Sequence, residues 1–130
     1  MRSMVVTMLC LIVGTGSVAQ QAQSDARTFV IKYEIVDGNR VIGRPHIIIA
    51  DGGTGTVGSG AFALRSTLSR VPGGREDARL VASDLSLRSG GKLMRVASPQ
   101  VTGQIGKATT VGITRSGQAP LTMTVLVEEQ

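Results

Sequence analysis

From residue 28 onward, apolar and polar side chains alternate with a period of two. Phe29, Ile31, Tyr33 and Ile35 fall on one face, and Lys32 and Glu34 on the other. Only a pleated strand with one buried face reads this way, because successive side chains of a strand point to opposite sides. The pattern returns near the end, where Leu121, Met123, Val125 and Val127 alternate with Thr122, Thr124 and Leu126. Between these runs the chain is punctuated by turn sequences: Asp37-Gly38-Asn39, Asp51-Gly52-Gly53, Ser89-Gly90-Gly91, Ile105-Gly106 and Ser116-Gly117-Gln118. Glycine and asparagine tolerate the positive φ that tight turns require. Gly38, Gly52, Gly53, Gly91 and Gly106 are therefore the expected structural turn positions.

Further strands are expected at 41–42, 46–50, 54–64, 79–87, 92–104 and 107–114. This spacing predicts an all-β fold, a small antiparallel sandwich or barrel of about 7–8 strands, in one domain over residues 28–130. Segments 61–70 and 76–82 can also be read as helices, because short apolar runs do not separate the two. Pro45 and Pro99 lack an amide hydrogen, so their strands belong at a sheet edge or a bulge. Aromatic residues are scarce: Phe29, Tyr33 and Phe62 are the whole set. The core must therefore be built of Val, Ile and Leu.

The two prolines also align an internal repeat. At an offset of 54, Pro45 matches Pro99, Ile47 matches Val101 and Gly52 matches Gly106. Thr56, Val57 and Gly58 likewise match Thr110, Val111 and Gly112. Upstream, Asp37-Gly38-Asn39-Arg40 resembles Ser89-Gly90-Gly91-Lys92 with a slip in register. The expected half-repeats run over about 28–70 and 79–128, against the alternative that Gly, Val and Thr align by composition alone.

The first residues read as an export signal. Arg2 is the positive start, residues 4–13 form an apolar run of about ten, and Ser17-Val18-Ala19 offers small side chains to a signal peptidase. The run falls short of the roughly 20 residues of a membrane span, so no transmembrane segment is expected. Residues 1–19 are the expected signal peptide, cut between Ala19 and Gln20, and residues 20–27 a loose polar start. The protein is then exported to the periplasm or medium. Cys10, the only cysteine, leaves with the signal, so no disulfide follows.

Chemistry-bearing constellations are few. His46 is the only histidine and lies in an apolar strand, so no His-based metal site is expected. Gly53-x-Gly55-x-x-Gly58 matches the dinucleotide fingerprint formally, but the helix that must follow is not indicated. No cofactor, metal or catalytic residue is expected. Glu34, Asp37, Asp51 and Asp84 could meet in space as a carboxylate pair. That leaves a small exported hydrolase or inhibitor as the alternative function. The net charge of +5 is spread along the chain without stacking aromatics, so no nucleic acid partner is expected; weak attraction to anionic surfaces is.

The Pro-containing stretches resemble part of the secretin family, the outer-membrane pores of type II and III secretion and of pili. The family pattern reads here from Gly43 through Pro45 and Ile47 to Gly58, and again from Ala97 through Pro99 and Val101 to Gly112, with Ala108 as the small residue after the turn. The resemblance covers about 16 residues per copy and not the ring-forming domains of a secretin. It implies a hairpin unit that pairs across subunits. Together these readings predict a non-enzymatic β domain of the bacterial envelope that binds a protein partner, or itself, through sheet edges. Arg44, His46 and Arg95 are the candidate partner-binding residues.

Overall fold

Each alternating run is a strand in the computed structural model, which describes residues 27–130. The expected signal segment 1–19, the Ala19–Gln20 cleavage and the loose stretch up to residue 26 lie outside the described residues. The strands are β1 (Thr28–Asp37), β2 (Arg40–Gly43), β3 (His46–Ala50), β4 (Thr54–Gly58), β5 (Phe62–Arg70), β6 (Ala78–Ser89), β7 (Lys92–Ala97), β8 (Gln100–Gln104), β9 (Thr109–Ile113) and β10 (Leu121–Glu129).

They form two antiparallel sheets. The first has the order β9-β10-β1, with β2 and β3 both pairing with β1 at its edge. The second has the order β4-β5-β6, with β7 and β8 both pairing with β6. This is a sandwich. The inward faces supply the core: Phe29, Ile31, Tyr33, Ile35, Ile47, Ile49, Leu121, Met123, Val125 and Val127 from the first sheet, and Phe62, Leu64, Leu68, Val81, Leu85 and Val101 from the second. Burying each large aliphatic side chain stabilises the fold by about 1.5–3 kcal/mol. One polar chain crosses this core. Tyr33 donates its hydroxyl to Ser66 Oγ at 2.5 Å, and Ser66 Oγ lies 2.8 Å from Ser83 Oγ. Burial pushes the Tyr33 pKa up, so the phenol stays a neutral donor.

Among the described residues the strands number ten rather than 7–8; a proline break and the division of 54–64 account for the difference. Residues 40–50 and 92–104 are each one extended stretch, broken at Arg44-Pro45 and at Ser98-Pro99. The ladder keeps its register across each break and shifts just upstream of it, at Ile42 opposite the Ile35/Val36 step of β1 and at Val96 opposite the Leu85/Ser86 step of β6. The residue before each proline compensates by bonding to an acid on the central strand. Arg44 Nε donates to Glu34 Oε2 at 2.9 Å, and Ser98 Oγ donates to Asp84 Oδ1 at 2.7 Å. The amides of Tyr33 and Ser83 reach the carbonyls of Pro45 and Pro99, both at 2.9 Å.

These coincidences extend through the molecule. Strands β1 to β5 correspond in order and partner to β6 to β10. The nine-pair ladder of β10 on β1 has the same register as that of β5 on β6, with Val127 opposite Ile31 and Leu68 opposite Val81. Each sheet therefore takes three strands from one half and two from the other, with one long strand from each. The offset of 54 that relates Pro45 to Pro99 also carries β4 onto β9. Between β1 and β6 it is 50, as from Ile31 to Val81. The β6–β7 hairpin accordingly extends four residues beyond its counterpart, adding the rungs Arg88 opposite Leu93 and Ser89 opposite Lys92. The two turn sequences aligned with a slip in register are thus not level: one tops a longer hairpin.

Other expectations change in detail. Segments 61–70 and 76–82 contain no helix; Phe62–Arg70 is β5, and β6 begins at Ala78. The single strand expected over 54–64 is two strands joined by a turn in which Ser59 N bonds to Phe62 O. Gly38, Gly52, Gly91 and Gly106 do adopt positive φ, as does Gly90. Gly53 does not; it is needed because a Cβ there would stand 3.0 Å from the Ala50 carbonyl oxygen.

Candidate interaction edges and the charged ends

Among the described residues, the edges of the sandwich are β2/β3 and β9 in the first sheet, and β7/β8 and β4 in the second. Both proline strands are thus edges. The turn at residues 51–53 carries the chain from β3 to β4, and that at 105–108 from β8 to β9, so each flank of the sandwich pairs one broken edge with one short edge. Gly55 on β4 is fitted closely to β3: a Cβ there would meet Ile47 Cγ2 at 2.5 Å.

The structure places Arg44 and His46 on the β2/β3 edge and Arg95 on β7, on the opposite flank. The three do not form one surface. Arg44 is bound to Glu34, and Arg95 lies 3.6 Å from Asp84. His46 is exposed on the outer face across from Lys32. Ile48, on the same expected edge but not among those three candidates, is 58% exposed on the outer face of β3. Its three-isoleucine run was legible, but which of the three points outward depends on the pairing of Ile48 with Val30.

The four acids considered as a carboxylate pair are held separately. Glu34 binds Arg44, Asp37 binds Arg115 at 2.6 Å, Asp51 binds Arg79 and Arg70, and Asp84 binds Ser98 and Arg95. Among the described residues, no group of three or more His, Cys, Asp or Glu is placed to hold a metal ion.

The two ends of the sandwich differ. At the end bearing the 51–53, 71–77 and 105–108 turns, Arg79 is fully buried. It forks onto Asp51 through Nε and Nη2, both at 3.1 Å, and donates Nη1 to the carbonyls of Glu76 and Ala78. Its guanidinium also lies 5.1 Å from the Phe29 ring centroid, as does that of Arg27. Arg27 continues the network to Glu129 and Glu76, and Arg70 joins Glu76 to Asp51. Hydrogen bonds from Arg70 and Arg27 hold the Glu76 and Glu129 carboxyls below their ordinary pKa values, and Arg75 with Gln104 does the same for Asp77. An open groove of about 550 Å³ runs over this network, lined by Arg27, Arg75, Glu76, Asp77, Ile105 and Glu129. At the other end Asp37 is the one acid among the described residues, and it is occupied by Arg115. No family model, curated protein or solved structure matches the chain.

Proposed function

We propose that the protein is an exported, non-enzymatic β domain of the bacterial envelope that binds a protein partner, or a second copy of itself, by adding a strand to its β2/β3 edge. The observation that carries this reading is Ile48. A large apolar side chain stands exposed at the centre of an edge strand whose outer hydrogen-bonding positions face away from β1. Such an edge is a template for another strand: the backbone supplies affinity, and alternate side chains supply specificity. The resemblance of residues 43–58 to the secretin hairpin supports the same mode, since those units pair between subunits. The separate engagement of Glu34, Asp37, Asp51 and Asp84 supports a binding role over a hydrolytic one.

Sedimentation and pull-down from envelope extracts test this with the Ile48→Pro and Ile48→Lys variants. Ile48 is largely exposed, so Ile48→Lys should retain the wild-type melting temperature while losing association. Arg44→Glu should do less, because Arg44 is already neutralised by Glu34. Association unchanged in both Ile48 variants would overturn this edge as the binding surface.

A further inference from the structure

We infer that the extended β6–β7 hairpin is a lipid-contacting tip, which docks the cationic end of the sandwich on an anionic bilayer. The evidence is a segregation of charge that the sequence conceals. Every acid among the described residues is engaged in an ion pair: Glu34, Asp37, Asp51, Glu76, Asp77, Asp84, Glu128 and Glu129. The cations left without an acidic partner, among the described residues, are Arg40, Arg65, Arg88, Lys92 and Lys107. Three of these, Arg40, Arg88 and Lys92, lie at the hairpin end, where Asp37 is already taken by Arg115. Unpaired positive charge is therefore concentrated at the hairpin end, where three of these five cations lie, while the network end leaves Lys107 alone without an acid among the described residues.

The same end carries exposed apolar residues. Leu93 is 43% and Met94 58% exposed; Leu93 lies on the four-residue extension that has no counterpart in the first half, and Met94 lies at its base, opposite Leu87. Being consecutive in a strand, they point to opposite faces of the ribbon. A flat protein surface would cover one of them and leave the other in water. A medium that surrounds the tip takes both, and the headgroup boundary of a bilayer is such a medium. Isologous pairing of two such tips would oppose Arg88 and Lys92 to their own copies. Anionic headgroups instead satisfy the cations while the acyl boundary takes the two side chains. This tip is distinct from the β2/β3 edge, so the inference stands apart from the function proposed above.

The test uses the full chain in a Cys10→Ser background, with an environment-sensitive fluorophore on Met94→Cys or, as the opposite-end control, on Lys107→Cys. Vesicles rich in phosphatidylglycerol should shift the emission at position 94 to the blue and leave position 107 unchanged. Vesicles of phosphatidylcholine should shift neither. Arg88→Glu or Lys92→Glu should each weaken the response by about fivefold or more, the effect of one interfacial cation. Three outcomes would overturn the inference: no shift at position 94, equal shifts at both positions, or an equal shift with soluble heparin, which marks a general polyanion site without a bilayer.

Discussion

Arg79 illustrates what a single residue can do in a chain with three aromatic side chains. It occupies the position in β6 that corresponds to Phe29 in β1, and its partner Asp51 corresponds to Ile105. The counterpart of the Arg79–Asp51 ion pair is thus Phe29 with Ile105, an aromatic and an aliphatic residue, each pair taking one member from each half, and the guanidinium lies over the Phe29 ring. Such a pair resists change mainly because losing one member strands the other without solvent. Arg79→Met should cost about 3–5 kcal/mol in urea unfolding, and adding Asp51→Asn should recover part of that loss. A single variant with near wild-type stability, or a double variant that simply sums the losses, would contradict this account. None of this was legible beforehand. An arginine within Ala78-Arg79-Leu80 reads as a solvated side chain, and its burial depends on Asp51, 28 residues away.

At the level of the element, the strands with dense alternation were plain in the sequence, and the weakly patterned ones were not. β1 and β10 declare themselves because every second residue is large and apolar. β4, Thr-Gly-Thr-Val-Gly, has too few side chains to show a period, so its end and the start of β5 ran together as one strand. Proline positions were readable as edges because the missing amide hydrogen is a local property. The side-chain bonds that hold the chain at those prolines were not, since the Glu34 and Asp84 carboxylates that accept them lie on neighbouring strands. The glycines of β4 serve close packing as well as turning. Gly55→Val should destabilise the domain by about 1–3 kcal/mol through overpacking on Ile47, measured by thermal melting with near-native circular dichroism. A neutral result would mean that β3 and β4 can separate freely. The edge residue Ile48 marks the limit of such reading, because an isoleucine in a triple run carries no sign of which face it takes.

Over the whole molecule, the exchange of strands between halves makes each sheet a joint product. Residues 27–74 alone would offer β1 with β2/β3 and β4 with β5, two small ribbons with uncovered apolar faces, and isolated ribbons of this size are marginal. Each of the pieces 27–74 and 75–130 should therefore be unfolded as a monomer by circular dichroism, and an equimolar mixture should regain strand signal and a cooperative melt. A cooperative monomeric fold in either piece would refute this. The matched ladders of β10 on β1 and β5 on β6 also bear on ancestry. Two copies that exchange equivalent strands in equivalent register reproduce the geometry of a closed, symmetric homodimer. Tandem duplication of a gene half this length, followed by fusion through the segment at residues 71–77, yields such a chain in one step. The two halves differ most plainly at Phe29 and Arg79, which occupy corresponding positions. Two modern second halves would bring two Arg79 guanidinium groups together, whereas one of each kind seats a cation on a ring. The chain thereby carries two unlike parts, each of which completes the other's sheet.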